Sequence, residues 1–160
     1  MIFNFGIMRT LIIYISIHHQ NTEKIAKTIA EVLNARFVKP SEIKPEELEN
    51  YDLIGFGSGI YFWRHHYQLI NLVKNLMPVK GKMAFIFSTS GAKYAQLIAH
   101  SHLKKLLLKK DFKIIGEFNC PGFDTFGPLK IFGGINKGRP NENDFEKAKN
   151  FAMKIKENLK

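Results

Sequence analysis

LIIYISIHHQNTEKIAKTIAEVLN, residues 11–34, changes pattern twice within a single stretch. Leu11, Ile12, Ile13, Tyr14 and Ile15 form an unbroken β-prone apolar run, which suits a strand covered on both faces. Ser16 to Thr22 then interrupt it with polar side chains. From Thr22 the spacing is helical, with Ile25, Ile29, Val32 and Leu33 on one face and Lys24, Lys27 and Glu31 on others. A strand, a polar loop and a helix start in that order make a ready phosphate site. The first N–H groups of a helix lack intrahelical partners and carry partial positive charge, so an anion there gains hydrogen bonds and a favourable dipole. Ser16, Asn21 and Thr22 add side-chain donors, although Asn21 or Thr22 would serve equally as a plain helix cap. No Gly-rich dinucleotide or P-loop fingerprint is present.

The alternation continues along the chain. Arg36, Phe37 and Val38 make a short second strand, and Pro40 to Asn50 is an acidic connection broken by Pro40 and Pro45. Asp52 to Gly57 read as a third buried strand, narrow enough at Gly55 and Gly57 to need glycine. It leads to a loop of Ser58, Gly59, Ile60, Tyr61, Phe62 and Trp63. A helix from Tyr67 places Leu69, Ile70, Val73, Leu76 and Met77 at core spacing before Pro78 stops it. Lys82 to Phe87 form a fourth strand, ending in a Ser88, Thr89, Ser90 and Gly91 loop. A third helix turns Ala99, Leu103, Leu106 and Leu107 inward, and Ile114 to Phe118 form a fifth strand. Residues 120–141 break the pattern as a Gly-, Pro- and Phe-rich insertion, of the length that is usually functional or mobile. Asn143 and Glu146 then suggest a capping box for a last helix whose Phe145, Ala148, Phe151, Ala152, Ile155 and Leu159 cover the sheet. Strand and helix in alternation predict one α/β domain with an open five-stranded parallel sheet and helices on both faces.

Composition narrows the function classes. With 45% hydrophobic residues over 160 positions, the chain has enough apolar material for a real core. No apolar run approaches the roughly 20 residues of a membrane span. Met1 to Met8 is apolar but lacks a basic leader, so residues 1–7 read as an N-terminal extension, with Met8 an alternative start. The single cysteine, Cys120, excludes an intrachain disulfide and a Cys-based metal cluster and fits a reducing cytoplasm. A formal charge of +10 points to anionic partners, or to a Lys-rich surface of no special purpose.

In a parallel sheet all strands aim their carboxyl ends at one edge, so the loops at Ser16–Thr22, Ser58–Trp63 and Ser88–Ala92 should converge. One suits an anion, one a flat aromatic ligand, and one offers hydroxyl and backbone contacts. Together they describe a site for a phosphorylated planar molecule.

Here the sequence resembles the flavodoxin-like family of flavin mononucleotide (FMN) proteins over residues 9–159. The residues that carry the likeness are Ser16-Ile17-His18-His19-Gln20-Asn21-Thr22-Glu23-Lys24, Tyr51 to Tyr61, and Phe87-Ser88-Thr89-Ser90-Gly91. Gly122-Phe123-Asp124-Thr125 with Gly133 to Gly138 resemble a subgroup of small members. The resemblance implies strand order 2-1-3-4-5 and FMN as cofactor. Its phosphate would lie on Ser16, His18, His19, Gln20, Asn21 and Thr22, and its ring against Ser58, Gly59, Ile60, Tyr61, Phe62 and Trp63. Ser88, Thr89, Ser90 and Gly91 would close the other side. Where the family usually has glycine before Asn-Thr, this chain has Gln20, which would cost something like 1 kcal/mol if the position needs positive φ.

His18, His19, His65 and His66 have no carboxylate at ligand spacing, which directs His18 and His19 to the phosphate and leaves no metal site expected. No nucleophile triad or acid-base carboxylate pair stands out, nor would a flavin protein need one. The implied function is electron transfer between cytoplasmic redox partners, with an acidic protein such as a ferredoxin, or a small-molecule acceptor, as partner. The alternatives are a small flavin oxidoreductase acting on a quinone or protoporphyrinogen, and a basic nucleic-acid-binding module without flavin. Poor aromatic interleaving among the basic residues disfavours the last.

Overall fold

The computed structural model describes residues 8–159, so the segment 1–7 read above as an extension lies outside the described residues. The opening apolar run is strand β1 (Thr10–Ile15), buried along its whole length. It pairs in parallel with β2 (Arg36–Val38) on one side and β3 (Leu53–Tyr61) on the other. Beyond β3 come β5 (Met83–Ser90) and β6 (Lys113–Pro121), also parallel. The path β2-β1-β3-β5-β6 is the 2-1-3-4-5 order implied by resemblance, renumbered because a two-residue strand, β4 (Arg64–His65), folds back antiparallel on β3. Strand order reverses between β1 and β3, and a crevice opens at that edge.

Helices α1 (Asn21–Leu33) and α4 (Glu142–Asn158) cover one face, where Ile12, Tyr14, Phe85, Phe87, Phe118 and Cys120 are buried. Helices α2 (Tyr67–Asn75) and α3 (Ala95–Leu108) cover the other, over Leu11, Ile13, Ile54, Phe56, Ala84 and Ile86. The two glycines of β3 explain the first packing. A Cβ at Gly55 or Gly57 would overlap the ring of Phe85 or Phe87, so the bare strand lets two aromatic rings lie across it.

Several boundaries differ from the sequence reading. Ser58 to Tyr61 and Ser88 to Ser90 continue β3 and β5 as paired strand rather than loop, since pairing depends on the backbone and not on apolar side chains. Met77 is 78% exposed, because α2 stops at Asn75 and helical spacing no longer applies. The last helix is capped by Asn141 and Asp144, not by Asn143 and Glu146: Asn141 Oδ1 accepts from the Asp144 N–H, and the Asp144 carboxylate accepts from the Asn141 N–H. Asp144 is held there by the Arg139 guanidinium, which grips both of its carboxylate oxygens.

A bulge in β6 has the widest consequence. Ala84 pairs with Ile114 but Phe85 pairs with Gly116, so Ile115 is extra and the side-chain alternation inverts beyond it. Phe118 and Cys120 therefore enter the α1/α4 core, while Glu117 and Asn119 face α3.

Candidate functional site

At the carboxyl edge of the sheet, the ends of β1, β3 and β5 bound a cavity of about 260 Å³. Ser16, His18, Asn21 and Thr22 line it from the first segment, Gly59 to Trp63 from the second, and Thr89, Ser90 and Gly91 from the third. His19, Gln20, Ser58 and Ser88 do not.

The first loop reaches α1 through two successive left-handed residues, His19 and Gln20, both at φ 54°. Gln20 is the N-cap and makes no side-chain cap bond, so neither Asn21 nor Thr22 caps the helix. Each β-carbon in that region costs about 1 kcal/mol. The side chains after the turn tie loops together. His19 Nε2 lies 2.9 Å from Thr125 Oγ1, with its ring 4.3 Å from that of Phe123. Asn21 Nδ2 donates to the Phe123 carbonyl at 2.8 Å. Thr22 and Thr89 hydroxyls meet at 2.8 Å, a bond that uses one of their two protons and leaves the other free. Ser16 Oγ is buried and has no partner among the described residues. An unpaired buried hydroxyl costs on the order of 1–3 kcal/mol unless something else satisfies it.

The second segment is a two-residue hairpin. Phe62 and Trp63 turn between β3 and β4 with φ 48° and 64°, a backbone that ordinarily calls for Asn-Gly. Phe62 is 80% exposed and stands edge-on to Phe126 at 5.5 Å, and Trp63 is half exposed. Tyr61 lies across Gly59, where a Cβ would sit 2.8 Å from its hydroxyl. Burial, and then the nearby Asp124 carboxylate, push the Tyr61 phenol above its ordinary pKa. Beneath the hairpin Ser58 Oγ donates to the Gly59 carbonyl at 2.7 Å, lies 2.8 Å from His65 Nδ1 and accepts from the His66 N–H.

The far wall comes from the irregular insertion, which the sequence marked as a region but not by residue. Gly122, Phe123, Asp124 and Phe126 line the cavity, as do Ile17, Ala92 and Ala95. Asp124 and Ile135 exchange backbone hydrogen bonds, and Asn136 Nδ2 donates to the Gly91 and Gly122 carbonyls, so the insertion is clasped onto the third loop. Burial pushes the Cys120 thiol up to about 12, which makes it a packing residue and not a nucleophile.

A family profile described as flavodoxin domain matches residues 11–119. The chain belongs to the flavodoxin domain family. An uncharacterized protein of Methanocaldococcus jannaschii is 50% identical over 151 residues, spanning 94% of this chain and 100% of that relative. Among solved structures, oxidised flavodoxin 2 from Bacillus cereus superposes with a TM-score of 0.71 at 21% identity, over 94% of this chain and 99% of its own. The Fusobacterium nucleatum flavodoxin bound to flavin mononucleotide gives 0.67 at 15% identity, over 96% and 100%. At these identities the structural likeness establishes a shared flavodoxin fold.

Proposed function

We propose that the cavity binds FMN and that this flavodoxin-domain protein carries electrons between redox partners. The unpartnered, buried Ser16 hydroxyl at the foot of α1, opposite the aromatic hairpin, carries the reading. The residues fit the cofactor. Ser16 and the spare proton of the Thr22–Thr89 pair donate toward the helix N-terminus, where a phosphate is favoured by the dipole. Gly59, Tyr61 and Trp63 offer a bare peptide and two aromatic faces to a planar ring. FMN when bound supplies the electron chemistry, so the protein needs no acid-base pair of its own.

The rest of the chain tunes and presents that site. Aromatic faces and the Asp124 carboxylate oppose added negative charge in the cavity, whereas the +10 surface favours it. The same surface speeds encounter with an acidic carrier such as a ferredoxin. Phe123, Asp124 and Phe126 wall the cavity like a substrate pocket, which favours a second reading as an oxidoreductase acting on a quinone or protoporphyrinogen. Salt-sensitive exchange with an acidic carrier supports the first reading, and turnover with quinones the second. Ser16→Ala or Thr22→Ala should weaken FMN binding roughly ten- to hundredfold, the worth of one hydrogen bond to a charged group. Unchanged affinity in both variants would remove the phosphate assignment.

A further inference from the structure

On the α2/α3 face the apolar rows of the sheet end at Phe56 and Ile86, and the next inward positions are Ser58 and Ser88. His65 from β4 and His100 from α3 stack over them, ring centroids 5.3 Å apart at 20°. Ser88 Oγ lies 2.7 Å from His100 Nε2, and His100 Nδ1 lies 3.2 Å from Glu117 Oε2. Serine, histidine and carboxylate in that order resemble a nucleophile relay, but Ser88 is 0% exposed and no substrate can reach it. The relay leads instead to the flavin cavity. Ser88 Oγ and Ser90 Oγ both lie against Asn119 Oδ1, at 2.8 and 3.2 Å, and Ser90 lines the cavity. At its other end a second hollow lined by Gln96, His100, Lys104, Glu117 and Asn119 opens to solvent.

Counting protons shows what this cluster can do. If Asn119 Oδ1 accepts from both serines, the only proton of Ser88 is engaged and its oxygen must accept from His100 Nε2–H. Glu117, ionised and held by Lys104 Nζ at 2.9 Å, can only accept, so Nδ1 also carries a proton. That ring is an imidazolium. Turning the Asn119 amide over makes it the donor to both serines, Ser88 then donates to Nε2, and the ring is neutral. The same heavy-atom positions therefore satisfy two states that differ by one proton.

The surroundings select His100 for the charge. Burial pushes both stacked imidazoles below their ordinary pKa, but Glu117 acts in the opposite direction on His100. Among the described residues His65 has no such carboxylate and its Nε2 has no partner, and it faces His100 and His102. Desolvation raises the Glu117 carboxyl, yet Lys104 and His100 outweigh it and hold it below the ordinary range. Burial, and then the charges of Arg64, Lys74 and Lys105, push His102 below its ordinary pKa.

We propose that His100 is the proton-exchanging residue of this protein. When an electron enters the flavin cavity, the imidazole takes up one proton from solvent beside Glu117, and when the electron leaves it returns that proton. His100 acts on the cavity through Ser88, Asn119 and Ser90 and not by contact. The electron comes from an external reductant and the proton from solvent hydronium, so one N–H bond of His100 forms as one O–H bond of hydronium breaks, and the exchange reverses when the electron leaves. This role rests on the flavin reading above.

The test is a pair of measurements on FMN-loaded protein, with dithionite as reductant. Proton NMR titration of the six imidazoles should show the His100 pKa higher in the reduced than in the oxidised protein. The midpoint potential should rise more steeply with falling pH in the wild type than in His100→Gln or Glu117→Gln. Glu117 lies at the surface, so the second variant keeps the test alive should the first not fold. A purely structural histidine would lower stability in the variants and leave the slope alone. Identical His100 titrations in both redox states, or one slope for all three proteins, would overturn the proposal. A chain that never takes up FMN, seen at once from its missing yellow colour, contradicts the flavin reading itself and removes this role with it.

Discussion

Phe62 and Trp63 hold left-handed backbones at the tip of a hairpin, where a β-carbon costs about 1 kcal/mol or more per residue. Strain of that kind persists where the surroundings over-determine it, and here it sets aromatic rings at the cavity rim. Replacing the pair by Asn-Gly should therefore stabilise the fold by about 1 kcal/mol in urea unfolding and at the same time weaken FMN binding. A variant that gained stability with unaltered affinity would show that the strain serves something else. The three aromatics stood out in the sequence as chemistry, but the left-handed angles of Phe62 and Trp63 did not, because a two-residue turn built from Phe and Trp carries no turn signal. The left-handed backbone at Gln20 was legible, since glycine usually stands there in the family, and Gln20 has φ 54°. Asn21 and His19 were equally visible as polar, yet their partners, Phe123 and Thr125, lie about a hundred positions away and only the folded chain brings them together.

Strand β3 shows what local pattern can and cannot deliver. Its glycines were legible as a narrow place in the sheet, and the rings of Phe85 and Phe87 occupy that place. Gly57→Ala should thus destabilise by about 1–3 kcal/mol, the cost of overpacking a dense core, read from the urea midpoint. No loss would mean that Phe87 can move aside freely. Hydroxyl-rich ends such as Ser58–Tyr61 and Ser88–Ser90 looked like loops because a strand announces itself through apolar residues, while the ladder needs only backbone. The Ile115 bulge left no sequence mark at all, although it alone turns Glu117 and Asn119 toward His100.

The flavodoxin fold was legible because buried runs and amphipathic helices alternate from Leu11 to Phe118, ahead of the irregular insertion, but the polar layer between α3 and the sheet was not. Its histidines sit at positions 65 and 100 and meet only through β4 folding back on β3. That layer should set how stability responds to acid. His65 is kept neutral in the fold with its pKa below the ordinary value, whereas the unfolded chain binds a proton there below about pH 6.5. Stability from this group is therefore complete above that pH and lost as pH falls through the depressed value. Urea midpoints should drop between about pH 7.5 and about pH 5.5, and drop less in His65→Asn. Equal pH dependence in both proteins would place the buried charge penalty elsewhere. The central claim remains the cavity between the ends of β1, β3 and β5. Titrating cofactor-free protein with FMN and, separately, with riboflavin, while following flavin fluorescence, tests it most directly. The account predicts quenching at one flavin per chain with FMN bound more tightly than riboflavin, because the phosphate meets Ser16 and the start of α1. Absence of quenching, or equal affinity for the two, would contradict it.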